Sequence, residues 1–254
     1  MSLFRMMRRI LPINHAITGN MAAPERPLAV IGDVHGCLGL LNGLRARIRA
    51  ESPEARTILV GDMIDRGPDS RGVLEQAWKE RENLVALRGN HEQMMLDFLD
   101  DPETAGARWL RHGGAATLAS FGVTVSTPDT ATRDSLRRAL PPGMEDWLRT
   151  LPLFWQSGNV VVTHAGADPR TPLAQQNPDH LLWGHPGFGR VPRRDGLWII
   201  HGHNIVGRPR SRDGVVSIDT GAWRGGGLTA ALIFPPGTDA AQAPRPVRFL
   251  TQES

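Results

Sequence analysis

The chain has 254 residues, 40% hydrophobic and 22% charged, with a formal charge of +3 and a single cysteine, Cys37. It is long enough to bury a large core, holds no apolar run that could span a membrane, and cannot form an internal disulfide framework, so a cytoplasmic protein without a membrane partner is expected. The sequence pI near 10.2 follows from arginine usage without tyrosine; the positive charge is not clustered on one element, so DNA is not expected as a partner.

Residues 1–26 open with "MSLFRMMRRILPINHAITGNMAA". Pro12, Asn14, His15 and Asn20 interrupt the apolar residues too often for a secretory signal, and a disordered extension is expected. Residues 27–254 are expected to form one domain. "PLAVIGD" reads as a buried strand. "LGLLNGLRARIRA" follows with Leu38, Leu41, Leu44 and Ile48 at helical spacing. "TILVGD" is a second strand, "DSRGVLEQAWKE" a helix with Asp69 or Ser70 as its cap, and "NLVAL" a third strand. This alternation predicts an α/β fold with parallel strands. "RGNHE" leads into a helix at "QMMLDFL". Residues 103–151, broken by Pro and Gly, read as a helical insert. Strands return at "NVVVTHAG", "LWIIHGH", "GVVSIDTG", "LTAALIF" and "PVRFL". "PPGTDAAQAPRP" is a loop.

Polar residues gather at the predicted strand ends: Asp33 with His35, Asp62 with Asp65, Asn90 with His91, His164, and His201 with His203. In α/β sheets ligands bind outside the carboxyl ends of strands. Asp, His and Asn without a thiolate suit manganese, iron or zinc. The number of ligands predicts two divalent ions, with Asp62 placed to bridge them. Such a pair can serve an in-line displacement at phosphorus, because water bridging two cations is acidified toward neutrality.

"GDVHG", "GDMIDRGPDS", "RGNHE", "HAG" and "HGHN", in this order, with "IDTGAW" beyond them, resemble the calcineurin-like metallophosphoesterases. Within these they resemble the bacterial and phage-lambda-like branch of the phosphoprotein phosphatases. The resemblance implies an αββα sandwich of two mixed sheets with a small helical insert. It implies a phosphomonoesterase acting on phosphoserine or phosphothreonine in a protein or peptide, with two metal ions, manganese first and iron or zinc as alternatives. It further implies that Asp33 and His35 ligate the first ion, that Asp62 bridges, and that Asn90, His164 and His203 ligate the second. His91, held by Asp65, resembles the acid beside the leaving oxygen; Arg66 and Arg88 resemble the phosphate clamps. His185, in "LLWGHPGFGR", stands where the related phosphatases place a phosphate-binding arginine.

Other substrates fit less well. Diadenosine tetraphosphate hydrolases of the superfamily, whose substrates are nucleotides, tend to lack the equivalent of Asp65. Many phosphodiesterases carry a second histidine where this chain has Ile205. A binding module stripped of its metals would not keep every ligand. His201 is expected to support the site without ligating, and Glu92 to cap a helix or brace the site. His15, His112 and His180 are expected to be solvated or locally bonded, Cys37 inert, and Arg137, Arg138, Arg193 and Arg194 solvated. Trp183 and Trp223 lie close in sequence to the site loops.

Overall fold

The computed structural model describes residues 21–124, 127–237 and 247–253. The expected disordered extension lies outside these over residues 1–20. Residues 21–26 depart from that expectation. Ala23 N–H donates to Asn159 Oδ1 at 2.7 Å, Asn159 Nδ2 donates to the Met21 carbonyl at 2.9 Å, and Ala22 is buried. One asparagine amide thus satisfies both polar groups of the entering chain.

The first half alternates as its periodicity requires: β1 (Leu28–Ile31), α1 (Leu38–Glu51), β2 (Arg56–Leu59), α2 (Ser70–Lys79), β3 (Leu84–Ala86), α3 (Asn90–Asp100). β1, β2 and β3 pair in parallel. Asp69 caps α2 by accepting the Gly72 N–H at 2.7 Å. The insert supplies α4 (Pro102–Trp109), a π-helical turn (Leu110–Gly114), α5 (Ala115–Ser120), α6 (Thr130–Ala139) and α7 (Met144–Thr150). Then follow β4 (Phe154–Ser157), β5 (Val160–Thr163), α8 (Pro178–Trp183), β6 (Trp198–His201), β7 (Arg210–Arg212), β8 (Val215–Ser217), β9 (Leu228–Ile233) and β10 (Arg248–Gln252).

The strands form two mixed sheets, ordered β10-β9-β1-β2-β3 and β4-β5-β6-β8-β7. These are the two mixed sheets that the resemblance implied, with the parallel pairs of the alternating reading at their centres. β9 and β10 add antiparallel to β1, while β4 and β7 add antiparallel at the edges of the second sheet. Alternation explains the layers. Leu28, Val30, Ile58, Val60, Ala231 and Ile233 face the second sheet and pack on Val160, Val162, Ile200 and Val216. Ala29, Ile31, Leu59, Ala230 and Leu232 face the helices. Burying each large aliphatic side chain contributes about 1.5–3 kcal/mol, so a first sheet apolar on both faces needs a layer on each.

The insert is part of the helical layer. Trp109, Leu118, Leu136, Met144 and Leu148 are buried in the same core as α1, α2 and α3. No helix of the described residues is long and apolar enough to cross a membrane.

Candidate active site

The turns after β1, β2, β3, β5 and β6 deliver polar side chains to one place. Among the described residues, six non-glycine positions have positive φ, and five lie here: His35, Asp62, Asp65, Arg66 and His203. Each costs about 1–2 kcal/mol, so other contacts must hold the backbone. Glu92 is the main one. Its buried carboxylate accepts the N–H groups of Asp62 (2.8 Å), Met63 (2.7 Å), Ile64 (3.3 Å) and Gly89 (2.8 Å). It caps α3 and fixes the Asp62 turn at once, in keeping with its expected supporting role. Asn90 and His91 sit on the first turn of α3, not on the loop before it.

Asp62 lies at the centre, fully surrounded. Its Oδ1 accepts the His91 N–H at 3.0 Å and lies 3.3 Å from His164 Nε2; its Oδ2 lies 3.6 Å from His35 Nε2. Burial alone would raise its pKa, but His164, His91 and His35 outweigh it and hold it below the ordinary carboxylate range. On one side, Asn90 Oδ1 is 2.8 Å from His164 Nε2 and 2.9 Å from His203 Nδ1. Asp33 accepts the His203 N–H on both oxygens at 3.1 and 2.9 Å. Burial, Asp219 and Asp62 push Asp33 well up. Burial pushes His35 down to about 3 and His203 to about 4.

These residues fit a pair of cations. His35 Nδ1 donates to the Ile64 carbonyl at 2.8 Å and His164 Nδ1 to the Val60 carbonyl at 3.2 Å. A carbonyl can only accept, so both Nε2 atoms present lone pairs inward. Asp62 shares ligand-atom clusters with His35 and His91 on one side and with His164 and His203 on the other, all within 4.8 Å. Acceptors converging around a buried carboxylate suit positive charge, which Arg66 Nη1 supplies to His35 Nε2 here.

The candidate proton donor lies against this cluster. His91 Nδ1 donates to Asp65 Oδ2 at 2.6 Å. Burial lowers the His91 pKa, yet Asp62 and Asp65 outweigh it and raise it overall. Burial raises Asp65, opposed by its bonds to His91, Thr117 and Trp109.

The three predicted phosphate contacts part company. Arg66 Nη1 is 2.8 Å from His35 Nε2, within the site. Arg88 instead bonds Gln93 Oε1 at 2.9 Å and the carbonyls of Arg149 (2.9 Å) and Leu151 (3.3 Å), tying β3 to the insert. The His185 ring accepts the Gly187 N–H at 3.0 Å, lies 4.0 Å from Asp168 and packs edge-on against His180. His201 bonds Ser217 and the Gly202 carbonyl, a supporting position as expected. Trp223 stands at the site, 40% exposed, with Arg66 at 5.1 Å over its ring and His35 edge-on at 6.4 Å. Trp183 stacks under Arg108, 4.4 Å away.

Sequence reasoning gave no role to Asp219, Trp109 or Thr117. Asp219 follows β8 as the other acids follow their strands, and that position was a usable signal; burial raises it to about 6. Trp109 and Thr117 reach Asp65 through tertiary folding of the insert, which no local spacing announces.

A two-sheet α/β fold with convergent Asp, His and Asn at its strand ends is that of the calcineurin-like phosphoesterases, and the chain belongs to this family, whose pattern matches residues 26–213. It is a hydrolase of the metallophosphoesterase class, a family that works with a dinuclear metal centre. Among particular relatives, it is 31% identical over 220 residues to serine/threonine-protein phosphatase 1 of Salmonella typhimurium, covering 82% of this chain and 92% of that protein. It is 28% identical over 238 residues to the bis(5'-nucleosyl)-tetraphosphatase PrpE of Geobacillus sp., covering 79% and 88%. The fold is similar to a protein serine/threonine phosphatase structure from Saccharomyces cerevisiae, with a TM-score of 0.60, 16% identity and coverage of 91% and 81%.

Proposed function

We propose that the protein is a phosphomonoesterase acting on phosphoserine or phosphothreonine in proteins. The observation that carries this is the buried Asp65–His91 pair, 2.6 Å apart, beside Asp62. An alkoxide is a poor leaving group and needs a proton as its bond to phosphorus breaks. A nucleotide phosphate leaves readily without one. A histidine whose Nδ1 is held by one buried carboxylate and which lies beside a second is equipment for the harder case.

Asp33, His35, Asp62, Asn90, His164 and His203 would hold two divalent ions, manganese first, with Asp62 between them. When bound, such ions supply Lewis acidity toward the phosphoryl oxygens and lower the pKa of water toward neutrality. Asp62, which belongs to both ligand-atom clusters, would contribute its negative charge to either ion. His91 gives its Nε2 proton to the leaving oxygen, while Asp65 fixes the ring by its Nδ1. Arg66 orients the phosphate with its fork of donors. Arg88 and His185 act with it only after turning from the partners described above.

A second reading has its own support. The exposed Trp223 ring beside Arg66 and His35 offers a surface for an aromatic group such as a nucleobase. The similarity to PrpE-type tetraphosphatases points the same way. The discriminating experiment measures kcat/KM with manganese on a phosphoserine peptide, a dinucleoside tetraphosphate and a phosphodiester. The phosphatase reading expects the phosphopeptide to lead by about tenfold or more; a leading dinucleoside tetraphosphate would replace it with the second reading.

A further inference from the structure

We propose that Trp109 and Thr117 of the helical insert are positioning residues for proton transfer: they hold the Asp65 carboxylate against the His91 ring. The inference rests on His91 being the acid.

Asp65 is fully buried, and both of its oxygens are engaged. Thr117 Oγ1 donates to Oδ1 at 2.6 Å, Trp109 Nε1 to Oδ2 at 2.9 Å, and His91 Nδ1 to the same Oδ2 at 2.6 Å. Thr117 Oγ1 also accepts the Asp65 backbone N–H at 2.9 Å, so one hydroxyl grips main chain and side chain together. That grip matters because Asp65 sits at φ 71°, in the left-handed region that costs a non-glycine residue about 1–2 kcal/mol. The same N–H reaches Ser70 Oγ at 2.9 Å.

The insert is shaped for this task. Trp109 is fully buried, with Phe98 tilted against it at 5.0 Å. The chain then bends at Gly113, whose φ of 111° suits glycine, and Thr117 returns to Asp65 on α5. At the bend the Arg66 N–H donates to the Gly113 carbonyl at 3.3 Å. A Cβ on Gly113 would lie 2.8 Å from Arg66 Cγ. One segment therefore braces both the acid's partner and the neighbouring arginine. A role in packing alone would not require an indole N–H and a hydroxyl aimed at the same carboxylate. Removing either leaves a buried charged oxygen short of a donor.

The test compares kcat on a phosphoserine peptide and on p-nitrophenyl phosphate, whose leaving group needs no proton. Thr117→Val, Thr117→Ser, Trp109→Phe and His91→Asn are measured beside the parent, with bound metal and Tm recorded. Thr117→Val should lose about ten- to a hundredfold on the peptide and less than about threefold on the aryl ester, with metal content unchanged. Thr117→Ser should restore most of the loss. Should Thr117→Val not fold, Trp109→Phe, which keeps an aromatic ring but not the donor, must show the same selective loss. Equal losses on both substrates, no loss on either, or failure of serine to restore the rate would overturn the proposal. If His91→Asn shows the selective loss and the insert variants do not, positioning fails while the acid survives. If His91→Asn itself shows none, the acid reading falls and the proposal falls with it.

Discussion

At the scale of single residues, the site places opposite demands on its histidines. His91 is raised by Asp62 and Asp65 against burial, whereas burial lowers His35, His164, His201 and His203. The surroundings favour a proton on one ring and disfavour it on the rest. His91→Asn should lower kcat on alkyl phosphates by about 10²–10⁴-fold, the usual worth of a general acid. Steady-state assays should show a much smaller loss on aryl esters; equal losses would remove His91 from that role. His201 tests the neutral group away from the candidate ligand atoms. It has both nitrogens bonded within the protein, and burial takes it to about 4 from its ordinary 6.5. The stability of its neutral form is complete above about pH 6.5 and is lost as pH falls toward 4. His201→Gln should therefore gain on the parent by about 2 kcal/mol between about pH 8 and pH 5. Denaturant unfolding at the two pH values checks this, and a difference that does not move with pH would contradict it. The meeting of the candidate ligands and of His91 with Asp65 was legible in the sequence because each follows a strand within a few residues. The contacts of Arg88 and His185 were not, since a long side chain has several partners within reach and spacing does not choose among them.

At the scale of elements, glycine decides how closely two turns approach. Gly202 follows β6, and a Cβ there would lie 1.8 Å from Asp33 Oδ1. That oxygen also accepts the next residue's N–H. Gly202→Ala must push Asp33 aside, so bound metal per chain should fall while the far-ultraviolet spectrum stays native. Elemental analysis reads the outcome; full metal occupancy would show that Asp33 can retreat without cost. The strongly apolar strands and α1 to α3 were legible from periodicity. β4, β7 and α8 were not. β4 reads FWQS and is only partly buried, β7 is an exposed RSR edge paired through its backbone to β8, and α8 spans six residues, too few for a helical repeat. The antiparallel placement of β9 is likewise a tertiary choice, because a fully buried strand looks apolar on both faces whichever way it runs.

At the scale of the molecule, the helical insert shares its core with the rest of the helical layer. A detachable cap would present its own small core, but this one buries Trp109, Leu118, Leu136, Met144 and Leu148 in the main helical layer. Replacing residues 103–151 with a short linker should therefore abolish cooperative unfolding, because several large side chains at about 1.5–3 kcal/mol each are together comparable to a typical stability of about 5–15 kcal/mol. Calorimetry checks it; a sharp transition with full metal content would show that the rest of the fold stands without the insert. Sheets, helical layer and insert together bring the two sets of acceptors to either side of Asp62, which makes the number of bound ions the most direct test. After loading with manganese and removal of free ion, elemental analysis should find two ions per chain, and Asp62→Asn should lose more than any other single ligand change. No more than one ion per chain in the parent protein would contradict the account.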